Sequence, residues 1–178
     1  MRRQSLVVAG VVLLLQGTTS ARAEFIGNAY GGQAEETTRS AAAHAFTGHE
    51  SFYAGMAQLE KRSTGEAKQL FAKSVSEFRA SREEYSRAAP ILRGKPFDMS
   101  RLQAPEQQLL LQFLGPFKAT PASDQSDMLQ AFADSFGQTA AIVENASVEM
   151  TLAKFRQVQA EINQQIVVGT LISRGLGR

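Results

Sequence analysis

The chain has no cysteine, no tryptophan and only two histidines among its 178 residues. Without cysteine it cannot form structural disulfides, a thiolate zinc site, a covalently attached c-type haem or a lipidated N-terminal cysteine. The two histidines, His44 and His49, lie five positions apart. On a helix that spacing turns them about 140° away from one another, which suits a shared metal poorly. No Glu-x-x-His unit occurs, as a di-iron carboxylate bundle would require, and no histidine follows His49 to ligate a haem from the last helix. The Gly-x-Ser-x-Gly elbow and Ser-x-x-Lys are also missing, and Gly31-Gly32 has neither the lysine nor the flanking strand of a phosphate-binding loop. These absences exclude the common hydrolytic, redox and nucleotide chemistries. The reading is of a protein that is not an enzyme and carries no cofactor or metal.

A long hydrophobic run is missing too. The longest apolar stretch, Leu6 to Leu15, is interrupted by Ala9 and Gly10. It covers about ten residues, where a membrane-spanning helix needs about twenty. Preceded by Arg2 and Arg3 and followed by Ala21-Arg22-Ala23, it has the layout of a cleaved secretion signal over residues 1–23, with a mature chain starting at Glu24. The expected location is the periplasm, with secretion as the alternative. Removing residues 1–23 takes away three arginines and no acid, leaving 16 Lys and Arg against 17 Asp and Glu. A near-neutral mature chain with interleaved signs has no electrostatic reason to bind nucleic acid.

What the chain does have is helix-forming composition arranged in apolar stripes. Residues 24–33, with three glycines in ten positions, read as a flexible leader, and residues 34–178 as a single helical domain. A first helix over about 34–62 carries Ala42, Ala45, Phe46, His49, Phe52, Tyr53, Met56 and Leu59 at three-and-four spacing. Gly65 is expected to stop it, and Ser63 with Glu66 has the spacing of a capping box for the next helix. In that second helix, Ala67, Leu70, Phe71, Ser74, Val75, Phe78, Tyr85 and Ala88 share a stripe that should end near Pro90. A loop over 90–104 holds Arg93 and Lys95, and with Arg101 these form the one local cationic concentration of the mature chain.

Pro105 opens a third helix that is apolar on more than one side, through Leu109, Leu110, Leu111, Phe113, Leu114 and Phe117. Gly115-Pro116 ends it. From Thr120 to Asp124 a last helical region begins, and either one long helix or two meeting near Gly137 or Asn145 fits its pattern. The expected fold is therefore all-α, an up-and-down bundle of about four helices with the last one whole or split.

Two local resemblances accompany this pattern. The hairpin from Gly55 through Ala67 and Phe71 to Ser74 resembles one tetratricopeptide unit over about a tenth of the chain, although no second copy follows and such arrays need several units. Leu102 followed by Ala104-Pro-Glu-Gln-Gln108 is similar to the Leu-Thr-x-x-Gln segments of periplasmic helical stress chaperones.

The expected function is that of an exported protein-binding accessory, adaptor or chaperone-like factor whose partner is another envelope protein. Leu110, Phe113, Leu114, Phe117, Ile166 and Leu171 are the candidate contact residues, and the apolar C-terminal end is a lesser candidate for membrane contact. The alternative is a carrier of a small apolar ligand in an inter-helix cavity lined by His49, Phe71, Phe78, Tyr85, Phe132, Phe136 and Phe155.

Overall fold

A computed structural model describes residues 33–117 and 124–175. The expected signal at 1–23, the leader up to residue 32, the start of the last helical region at 120–123 and the terminal residues 176–178 lie outside the described residues. The fold is all-α, with five α-helices and no strand among the described residues. They are α1 (Gln33–Glu60), α2 (Thr64–Ala88), α3 (Ala104–Leu114), α4 (Gln125–Glu149) and α5 (Leu152–Gly175). Short 3-10 turns at Ala89–Leu92, Met99–Arg101 and Gly115–Phe117 shape the connections around α3. Among the described residues, no helix is long and apolar enough to cross a membrane.

The pairing of α1 with α2 follows from a size match repeated every seven residues. On α1, Ala34, Ala41, Gly48 and Gly55 recur at that interval and are all buried. On α2 and the turn after it, Phe71, Phe78, Tyr85 and Leu92 recur at the same interval, also buried. The Phe78 ring lies where a Cβ on Gly48 would be, and the Phe71 ring does the same at Gly55. The glycines thus form holes for the aromatic knobs of the antiparallel helix. Extended by one heptad, this register sets Ala41 level with Tyr85.

The turn joining them departs from expectation. Gly65 does not stop α1; it lies inside the first turn of α2. The stop is at Arg62, which adopts a left-handed conformation with φ 62°. The Arg62 N–H donates to the Leu59 carbonyl at 3.0 Å and the Ser63 N–H to the Gln58 carbonyl at 2.9 Å. Those are the two bonds of a Schellman cap, built here without glycine. The Ser63–Glu66 capping box is not formed either, since Ser63 offers its carbonyl to Ala67 N–H while its side chain makes no cap bond. A reciprocal bond of that kind starts α3 instead, where the Glu106 carboxylate accepts from Gln103 N–H at 2.9 Å.

The last helical region is split, but at neither Gly137 nor Asn145, both of which are interior to α4. The break falls at Met150, left-handed with φ 51°, followed by Thr151, whose carbonyl accepts from Phe155 N–H at 3.2 Å. α4 packs on α2 and α5, and α5 returns to α1 and carries α3 on its flank. The connection after α2 is tied down by the N-terminal end of α4. Asp124 caps α4 through Asp127 N–H at 3.1 Å and also accepts from Gly94 N–H at 2.7 Å. Those backbone donors hold its carboxyl below the usual aspartate range. At the far end Phe97 occupies the space beside Gly175, and Asp98 N–H donates to the Gly175 carbonyl at 2.9 Å.

Candidate functional site

The six residues expected to meet a partner fall into two groups. Leu110, Leu114, Ile166 and Leu171 are buried in the chain's own core, so their apolar surface is already covered. Phe113 on α3 and Phe117 in the 3-10 turn after it are half-buried, with ring centroids 5.5 Å apart. The doubly apolar character of α3 has a simple origin. Leu110 and Leu114 face inward, Phe113 faces sideways, and Leu111 is left 40% exposed.

The seven residues proposed to line an apolar cavity are brought together, but as contacts with one another. Phe71 stacks on Phe155 at 3.8 Å with the rings 10° from parallel. Tyr85 stacks on Phe136 at 5.7 Å, and Phe132 meets Phe136 edge-on at 4.9 Å. His49 lies edge-on to Phe78 at 5.2 Å and within 6.2 Å of Phe136. The rings pack against one another between the helices. Burial pushes the Tyr85 hydroxyl pKa well up, and that hydroxyl has no partner among the described residues.

One polar line crosses this apolar interior. His49 Nε2 donates to Gln165 Oε1 at 3.3 Å, Gln165 Nε2 donates to Ser135 Oγ at 2.9 Å, and Ser135 Oγ donates to the Phe132 carbonyl at 2.6 Å. The order of donors places the proton of a neutral His49 imidazole on Nε2. Burial agrees with this, lowering the pKa of His49 to about 4 against the opposing effect of its Gln165 bond. His44, by contrast, faces outward and meets Glu77 Oε2 at 2.7 Å. The two histidines therefore sit in different environments.

The described residues form two open clefts at the surface that bear on binding. One, of about 520 Å³, runs between α2 and α4 and is lined by Lys68, Ala72, Val75, Arg79, Glu83 and Glu144, among others. Ala72, Ser76 and Ala80 repeat at a four-residue interval and make its α2 wall low, while the 2.7 Å ion pair between Arg79 and Glu144 crosses it. Val148, one turn beyond Glu144 on the same face of α4, is 84% exposed. The second cleft, of about 290 Å³, lies between α3, α4 and α5. Phe113 and Phe117 form one wall, Gln138, Glu161 and Gln164 stand across it, and Gln165 connects it to the buried polar line. Neither cleft is lined by any of the seven packed residues.

The cationic loop is largely committed. Arg101 pairs with Asp98 at 3.1 Å, and Arg93 lies close enough to Asp124 to help lower its pKa. Sequence reasoning missed the amide-bearing cleft, because Gln138, Gln164 and Gln165 look like ordinary helix surface until three helices converge on them. No protein-family model, no curated protein and no solved structure matches the chain.

Proposed function

We propose that this is an exported, non-enzymatic protein of the periplasm that works by binding another envelope protein, as an accessory subunit or adaptor. In this reading α1, α2, α4 and α5 make an up-and-down bundle, and α3 is a brace across its flank. The observation that carries the reading is the groove between α2 and α4. Its α2 wall is built from small side chains at helical spacing, its rims carry Lys68 and Glu83 fifteen residues apart, and Val148 stands exposed beside it. A groove of that form takes an amphipathic helix, with apolar anchors seated on Ala72 and Ala80 and charges of both signs meeting the rims.

A photo-crosslinking residue placed at Ala72 tests this in the native host, with the exposed Ala57 of α1 as the control position. The expected result is one discrete crosslinked protein from position 72 that is absent from position 57 and is lost when Ala80→Glu is added. Equal labelling from both positions, or a product indifferent to Ala80→Glu, would contradict the proposal.

A further inference from the structure

We propose that the cleft between α3, α4 and α5 binds a neutral, hydroxyl-rich small molecule, in chemical class a sugar unit. Its volume of about 290 Å³ sits at the bottom of the range of small-molecule sites, which run from about 300 to 1,000 Å³. The occupant is therefore about one ring in size. Phe113 and Phe117 present half-buried ring surface on one side, a platform for the C–H face of a saturated ring. Gln138 and Gln164 stand opposite, and each amide supplies both donors and an acceptor. A hydroxyl is likewise donor and acceptor at once, so the two sets match.

The lining also excludes competing ligands. It contains no lysine or arginine, and its one charged residue is Glu161, so an anion would enter without a counter-charge and against a carboxylate. A purely apolar molecule would strip water from the amides and return no hydrogen bond.

The floor is built rather than incidental. Gln165 is 1% exposed and is held at both ends, by His49 on its carbonyl and by Ser135 on its amide nitrogen. Its orientation is thereby fixed before any ligand arrives. One amide hydrogen and one carbonyl lone pair are not used by those two bonds. The polar line through the apolar core thus serves to aim Gln165 at the cleft. This inference is independent of the α2–α4 groove, with which the cleft shares no lining residue.

Saturation-transfer and amide chemical-shift NMR on the mature chain, using glucose, N-acetylglucosamine, inorganic phosphate and spermidine as probes, tests it. The expected result is transfer to one of the sugars, with shifts confined to residues around Phe113, Phe117, Gln138 and Gln165. Gln138→Ala, on an exposed position, should weaken that binding at least fivefold with an unchanged urea midpoint, and Phe113→Ala should abolish it. Three outcomes would overturn the proposal: no response to either sugar, a stronger response to phosphate or spermidine, or sugar binding that survives Gln138→Ala undiminished.

Discussion

Gly55 and Gly65 sit ten residues apart, and a methyl group added to each meets opposite surroundings. At Gly55 it would lie 2.7 Å from the Phe71 ring, which is itself stacked on Phe155 and has nowhere to go. At Gly65 nothing lies within 4 Å. Alanine gains up to about 1 kcal/mol over glycine in a helix, and overpacking a filled core costs about 1–3 kcal/mol. Gly55→Ala should therefore lower stability by about 1–2 kcal/mol, while Gly65→Ala raises it by about 0.5 kcal/mol, both read from urea midpoints. His49 supplies a second test. Its pKa is about 4 in the fold against 6.5 when free, so the unfolded chain takes up a proton first as the pH falls. The stability owed to neutral His49 is whole above pH 6.5, is lost progressively down to about pH 4, and amounts to about 3 kcal/mol. Its named neighbours Phe78, Phe136 and Gln165 carry no charge to offset this. His49→Phe should flatten the slope of urea midpoint against pH between 6.5 and 4.5; an unchanged slope would show that another group is responsible.

Between residue and fold stand the helix ends. The apolar stripes of α1, α2 and α4 were legible in the sequence because a buried face must repeat every three or four positions whatever else the chain does. The ends were legible where proline marks them: α2 stops at Ala88 just before Pro90, Pro105 lies in the first turn of α3, and Gly115-Pro116 follows the last residue of α3. They were not legible where glycine alone was read as punctuation, because this chain uses several glycines otherwise. Gly48, Gly55 and Gly137 are interior helical positions against which a neighbour's side chain packs, and Gly65 lies in the first turn of α2. The stops of α1 and α4 fall on Arg62 and Met150, two side chains in the left-handed region that leave no mark in composition. Arg62 is exposed, so its strain is separable from packing. Arg62→Gly should relieve about 1 kcal/mol and raise the melting temperature by about 2–4 °C by differential scanning calorimetry. No rise, or a fall, would mean that the turn is held by contacts of the arginine itself. α3 was read as a buried or partner-facing helix; Leu110 and Leu114 are buried in the core, while Phe113, with Phe117 in the turn after the helix, lines the smaller cleft.

At the scale of the whole molecule, the clefts proposed to bind are ones that no single helix displays. The residues most apolar in sequence were consumed by the core, which is why Leu110, Leu114, Ile166 and Leu171 are buried and the aromatic set is packed ring on ring. These clefts are lined by side chains that converge from two or three helices, a convergence that the periodicity of any one helix does not show. Function on this account is binding, with the α2–α4 groove offered to another envelope protein and the smaller cleft to a hydroxyl-rich ligand. Native mass spectrometry of the chain purified gently from its host's envelope fraction tests the central claim most directly. The account predicts a polypeptide beginning at Glu24 in a stoichiometric complex with one different protein, dissociated by Ala80→Glu. A bare chain, or one that retains residues 1–23, would contradict it.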